Sequence, residues 1–183
     1  MQYLPLQFSG ILQYYASNDA TTLSRTYSTN YVPTRAAVVG LIASALGYGR
    51  EELDKIKELY KILDIKYKTV RPGEVISDFQ TVRPLKSQNN YMNVQKPRNV
   101  FIQVDGKPKD DDAILKKVEY LQDAEFVVYL GSEEKELRTI FEALKNPQYA
   151  LYFGKRSCVP NKPIATTFDL ISEDELENVF DCA

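Results

Sequence analysis

Tyr31-Val32-Pro33-Thr34-Arg35, followed by Ala36-Ala37-Val38-Val39-Gly40-Leu41-Ile42-Ala43-Ser44-Ala45-Leu46-Gly47, is the stretch on which the fold turns. Thr34 stands where a helix N-cap belongs and Gly47 where a left-handed C-terminal stop belongs, so the spacing predicts a helix over 35–46. Its interior is apolar nearly all round and rich in Ala and Gly, which predicts burial against a sheet at close approach. Arg35 in the first turn sits at the positive end of the helix dipole, an unfavourable place for a cation unless a negative group lies beside it. A phosphate is one such group, and a solvated arginine is the other reading.

Upstream, Tyr3-Leu4-Pro5-Leu6-Gln7-Phe8 reads as a first strand with Pro5 near its start or on an edge. The polar stretch 16–30 reads as a long loop. Downstream, 50–59 is expected as a short helix, and Leu63, Ile65, Tyr67 and Thr69 alternate with polar residues as a strand does. Arg71-Pro72-Gly73 is a turn signal, predicting that 75–82 returns as the second strand of a hairpin. Residues 83–99 lack periodicity and read as a basic inserted excursion, with 100–104 a strand after it. A further hairpin is expected from 115–121 and 125–130 around Gln122-Asp123-Ala124. Ser132 then caps an amphipathic helix whose Leu137, Ile140, Phe141 and Leu144 recur at helical spacing, and a last strand is expected over 164–170. The order is the βαββαβ plan of an α+β, ferredoxin-like (RRM-like) fold with an inserted β-hairpin or thumb, in one domain over 1–183 that ends in an acidic tail over 169–183. That plan serves RNA binders and unrelated enzymes alike.

Composition narrows the chemistry. The 183 residues contain no histidine, which removes serine triads, Cys-His dyads, His-metal sites and paired-His ribonuclease chemistry from what this sequence can assemble. Lys, Tyr and carboxylate catalysis remain. Cys158 and Cys182 are too few for a disulfide framework or a four-cysteine zinc site. Asp110-Asp111-Asp112 lacks the glycine-turned geometry of a calcium loop and reads as solvated. No metal or cofactor is expected. An apolar fraction of 44% with no run long enough to span a bilayer, and no secretory leader, gives a cytoplasmic expectation.

The formal net charge of −2 conceals a segregation. Residues 66–109 carry nine Lys/Arg against three acids, and 148–168 carry three against none. Residues 110–147 carry five against ten, and 169–183 carry none against six. Such separation suits a basic face that binds phosphate, or a surface that is merely solvated. Two stretches could supply that face. Tyr152-Phe153-Gly154-Lys155-Arg156-Ser157-Cys158-Val159-Pro160 sets a glycine beside two cations and a hydroxyl without the Walker spacing, and Arg83, Lys86, Lys96 and Arg98 flank Tyr91, a ring available for stacking on a base.

With those residues located, the chain resembles the RAMP-type CRISPR-associated proteins, in the branch of the type I-E Cascade subunit that holds the guide RNA. Gly10-Ile11-Leu12-Gln13-Tyr14-Tyr15 is similar to the family's Gly-Pro-Leu-Gln-Ser-Trp loop, with Ile11 and Tyr15 as departures. The 31–47 stretch resembles its Phe-Pro-Thr-Lys/Arg helix, with Ala36-Ala37 in place of Ser-Gly. Asp78-Phe79-Gln80-Thr81-Val82 resembles its Asp-Tyr-x-Thr-Val strand end, and Phe153 to Pro160 its Leu-Gly-Arg-Arg/Lys-Ser-Cys-Pro-Pro loop. The resemblance spans 3–168; the family usually continues with further strands, so the expectation is either a natural short form or a truncated chain.

The resemblance implies a non-catalytic subunit that binds and caps the 5′ handle of the crRNA, contacts the backbone and large Cascade subunits, and meets target DNA only through the assembled complex. It implies that 83–99 is a thumb and that Arg35, Lys155 and Arg156 hold RNA phosphates, with Arg25, Thr34 and Ser157 beside them. Any reading of handle bases would then fall to the thumb or loops. Two other readings stay open: a metal-independent endoribonuclease that processes precursor crRNA with Lys86 or Lys155, and a ferredoxin-like protein-interaction domain without RNA.

Overall fold

The computed structural model describes residues 1–17, 26–49, 51–82 and 114–181. The expected excursion over 83–99 and the strand over 100–104 lie outside the described residues, as does Asp110-Asp111-Asp112.

Among the described residues, two sheets form the fold. The first has the order β4-β7-β1-β8, built from β4 (Asp64–Arg71), β7 (Glu125–Ser132), β1 (Gln2–Ser9) and β8 (Ile171–Ser172), all neighbours antiparallel. β1 is central because its alternate residues Leu4, Leu6 and Phe8 are apolar and fully buried against the helices. Pro5 lies in this central strand, yet on the side where the two-residue β8 has already ended, so its missing N–H interrupts no ladder. Gln7, two residues on and facing the same way, donates its N–H to the Ile164 carbonyl at 2.8 Å.

Helix α1 (Arg35–Leu46) starts and stops where its sequence dictates. The Thr34 Oγ1 accepts the Ala37 N–H at 3.3 Å, and Gly47 adopts φ 81°. The helix packs against α2 (Leu53–Ile62) and α3 (Glu134–Lys145), burying Val38, Val39, Leu41, Ile42, Ala43 and Ala45. The expectation of burial all round is corrected on one stripe: Ala36 and Gly40 face solvent, and a Cβ added at Gly40 meets nothing within 4 Å. α3 buries Leu137, Ile140, Phe141 and Leu144 as expected, but Ser132 ends β7 and Glu133 is the N-cap, without a side-chain hydrogen bond.

The second sheet is centred on β6 (Ile114–Gln122). β5 (Glu74–Val82) pairs along one edge over the full register from Glu74↔Gln122 to Val82↔Ile114; β2 (Leu12–Gln13) and β3 (Thr26–Tyr27) share the other. This arrangement overturns both expected hairpins. β4 pairs with β7, not β5, and β6 pairs with β5, not β7. The turn signals mark places where the chain leaves one sheet for the other, and the two crossings pack together. Gly73 adopts φ 72°, and a Cβ there would lie 2.5 Å from the Gln122 carbonyl oxygen and 2.8 Å from the Ala124 methyl. Part of the expected 16–30 loop is likewise structured, as β3 and an Ala16↔Thr29 bridge.

The acidic stretch expected as a tail holds helix α4 (Glu173–Asp181), and residues 164–170 form no strand. Ser172 and Glu175 cap the helix reciprocally: the Ser172 N–H donates to the Glu175 carboxylate at 2.9 Å, and the Glu175 N–H to Ser172 Oγ at 3.3 Å. Leu176, Val179 and Phe180 pack on Tyr3 and Tyr129, on the sheet face opposite α1 and α3. Lys68 donates to the Val179 carbonyl at 2.7 Å, a cation at the negative end of the helix. Among the described residues no helix is long and apolar enough to cross a membrane.

Candidate nucleic-acid interface

β6 alternates, so Lys116, Val118 and Tyr120 share one face of the second sheet. Register places Gln80, Asp78 and Ile76 of β5 opposite them and Tyr27 of β3 beside Val118. Tyr14, just past β2, meets Tyr120 edge-on at 6.1 Å between ring centroids. Three tyrosines thus line one face.

The Phe153–Pro160 loop closes over this floor. Phe153 is buried against Phe8 at 5.0 Å, its N–H donates to the Cys158 carbonyl at 2.8 Å, and the Cys158 N–H donates to the Lys155 carbonyl at 2.9 Å. The Tyr14 N–H donates to the Phe153 carbonyl at 3.0 Å, tying the loop to the end of β2. Gly154 makes that approach possible: at φ 88°, a Cβ would fall 1.9 Å from the Tyr14 carbonyl oxygen. Cys158 is fully buried, and burial raises its thiol pKa, so it is a packing residue rather than a reactive one.

Held this way, the Lys155 ammonium lies 3.8 Å from the Tyr14 ring centroid, 5.1 Å from Tyr120 and 5.7 Å from Tyr27. Lys116 reaches the same Tyr27 ring at 4.3 Å. Burial pushes the Lys155 pKa below the ordinary lysine range, and the Lys116 charge adds to that; Cys158 and Asp78 act in the opposite sense. Among the described residues no carboxylate forms an ion pair with Lys155 or Lys116. The Asp78 carboxylate instead accepts from Gln80 Nε2 at 2.7 Å. Arg156 and Ser157 follow on the exposed side of the loop.

β2 is anchored from below by buried polar groups. The Tyr15 hydroxyl donates to Gln13 Oε1 at 2.7 Å, Gln13 Nε2 donates to the Ala124 carbonyl at 2.7 Å, and the Tyr15 N–H donates to Thr29 Oγ1 at 2.9 Å. Gln13 and Tyr15 are wholly buried, and burial raises the Tyr15 pKa far above the ordinary tyrosine value. This network fixes Tyr14, between them, on the opposite face.

Arg35 has other company. Its Nε donates to the Tyr60 carbonyl at 3.2 Å, its Nη2 donates to the carbonyls of Tyr60 and Leu63, and its guanidinium stacks 4.9 Å from the Tyr60 ring. Those carbonyls close the C-terminal turn of α2. The negative group wanted beside a cation at the start of α1 is therefore the carbonyl end of the next helix. Thr34 is engaged as the N-cap.

The structure accordingly brings Lys155 together with a second lysine and three rings, and sets Arg35 and Thr34 in helix termini. Arg25, Arg83, Lys86, Tyr91, Lys96 and Arg98 lie outside the described residues. Lys116, Tyr27 and Tyr120 escaped the sequence reading of the site. The alternation of Lys116 and Tyr120 was a local signal for a shared face; their meeting with Tyr14 and Tyr27 was not.

Residues 11–181 match the family model described as CRISPR-associated protein (Cas_Cas5). The CRISPR system Cascade subunit CasD of Escherichia coli (strain K12) is 28% identical over 165 residues, covering 88% of this chain and 69% of CasD. Among solved structures, a chain of a CRISPR RNA-guided surveillance complex superposes with a TM-score of 0.73 at 24% identity, over 97% of this chain and 67% of that one. The crystal structure of a Cas protein gives a TM-score of 0.62 at 24% identity, over 97% and 69%. The mixed α/β fold, with two sheets and four helices among the described residues, is similar to that of these structures.

Proposed function

Since this chain belongs to the Cas5 family of CRISPR-associated proteins, we propose that it is a non-catalytic subunit of a Cascade-type ribonucleoprotein, binding and capping the 5′ handle of the guide crRNA. The observation that carries this reading is the Lys155 ammonium, held over a tyrosine floor and without an ion-pair partner among the described residues. An unpaired, half-buried cation is costly unless an anion completes it, and RNA phosphate is the anion the family context supplies. The naming of CasD as a Cascade subunit supports assembly with other subunits of such a complex. The sheet order β4-β7-β1-β8, with α1 and α3 on one face, supports reading this half as a ferredoxin-like βαββαβ plan.

The absence of histidine from the sequence supports a holding role over a cutting one. Lys155 faces rings and a second cation, with no base poised to activate a ribose hydroxyl among its partners. Arg35 we read as a strut between α1 and α2, and Arg156 as an exposed contact beside Lys155. The basic stretch 83–99, which enters from the end of β5, is the proposed thumb.

The test is binding of a labelled repeat-derived single-stranded RNA, followed by anisotropy across a salt series. Salt-sensitive binding that Lys155→Ala weakens is expected. Binding at background level, with the other Cascade subunits present, overturns the RNA reading; site-specific cleavage by this chain alone in the absence of metal overturns the non-catalytic one.

A further inference from the structure

Lys116 and Lys155 come from different elements, a strand and a loop, and converge on one aromatic ring. Their ammonium groups lie 4.3 and 5.7 Å from the Tyr27 centroid. The two like charges repel, and the repulsion is felt at Lys155. The negative ring faces of Tyr14, Tyr27 and Tyr120 offset part of it from below. Among the described residues no carboxylate pairs with either lysine: the Asp78 charge offsets part of the repulsion at Lys155, but its carboxylate accepts from Gln80. The result is a pair of cations with a rigid aromatic backing.

Such a pair matches one phosphodiester better than two. Its two non-bridging oxygens each accept an N⁺–H···O⁻ bond of about 2.8 Å, so a single group offers one acceptor to each of two ammonium groups that share a ring. Two phosphates gathered over the same ring would repel each other as the lysines do. We propose that Lys116 and Lys155 close on a single phosphodiester group of RNA, with Tyr14, Tyr27 and Tyr120 as positioning residues that hold both ammonium groups toward it. This rests on the guide-RNA reading above and adds to it a second cation, a stoichiometry and the residues that set the geometry.

The salt dependence of binding separates the possibilities. For single strands, each phosphate neutralised contributes about 0.7 to the slope of log affinity against log salt. With Lys116→Ala, Lys155→Ala and the double variant, a shared phosphate predicts that the double variant loses about 0.7 of slope in total. A loss of about 1.4 means two separate phosphates and overturns the clamp, as does an unchanged affinity in either single variant. Tyr27→Phe keeps the ring and the wild-type affinity, whereas Tyr27→Leu, folded by thermal melt, loses as much affinity as Lys116→Ala; a wild-type affinity for Tyr27→Leu overturns the positioning role.

Should the wild-type chain fail to bind RNA, the guide-RNA reading falls, and inorganic phosphate decides the clamp separately. The Nζ signals of both lysines, assigned by their loss in the single variants, are expected to shift along one common isotherm. Shifts along separate isotherms, or none, overturn the clamp.

Discussion

Arg35 directs its guanidinium at the carbonyl end of α2, whereas Lys155 holds its ammonium over three rings with no ion-pair partner among the described residues. One cation follows the N-cap Thr34 and the other the turn glycine Gly154, and both suit phosphate by residue type. Their partners separate them. A guanidinium whose donors already meet two backbone carbonyls has its charge answered within the fold, and removing it weakens the joint between two helices. An ammonium backed by rings loses solvent for only partial compensation from the ring faces and the Asp78 charge, and removing it relieves the fold. What a cation does is therefore read from what answers its charge.

Four substitutions press on that contrast. Gly154→Ala is the most damaging, because it abolishes the loop that carries Lys155: a positive-φ strain and a collision with the Tyr14 carbonyl together cost at least about 3 kcal/mol, measurable by urea unfolding. Gln13→Leu comes next. It orphans the buried Tyr15 hydroxyl and the Ala124 carbonyl under the tyrosine floor, at about 2 kcal/mol, and Tyr15→Phe on that background should recover part of the loss. Arg35→Ala should cost about 1.5 kcal/mol and leave the salt slope of RNA binding intact; a flattened slope with unchanged stability would reverse the roles assigned to the two cations.

The smallest effect has the opposite sign. Lys155→Met removes a penalised charge, so at neutral pH the variant should melt slightly above wild type while binding RNA less well. The pKa of Lys155 is lower in the folded chain than the ordinary 10.5, so the wild-type penalty is full below that lowered value. It is relieved as pH climbs toward 10.5, where the unfolded chain also loses its proton, and the gap between the two melting curves should close over that window. A gap that persists through it would show the benefit to be one of packing.

Local signals carried much of this fold, and partner choice carried the errors. Thr34 and Gly47 fixed α1 to the residue because caps act over three or four positions. The strands were legible by alternation, but Arg71-Pro72-Gly73 and Gln122-Asp123-Ala124 announce a change of direction without naming the strand that follows. Both were read as hairpins, and both are crossings between sheets. Helix α4 was hidden by its charge, although Ser172, Glu175, Leu176, Val179 and Phe180 carried a capping box and an apolar stripe. At the site, Lys155 stood out beside Gly154; its cage did not, since Tyr14, Tyr27 and Tyr120 come together only through the second sheet. Arg35 was legible as a misplaced charge, but its remedy lay on another helix.

The β5–β6 ladder ends with Val82 directly opposite Ile114. The ladder therefore holds Val82 and Ile114 at pairing distance although 31 residues separate them in sequence, and the entropy of bringing those two ends together is met by strands the fold already pairs. Doubling the length of such a segment costs only about 0.6 kcal/mol. The β5–β6 ladder should thus tolerate an insertion between Val82 and Ile114 at little cost to its own pairing.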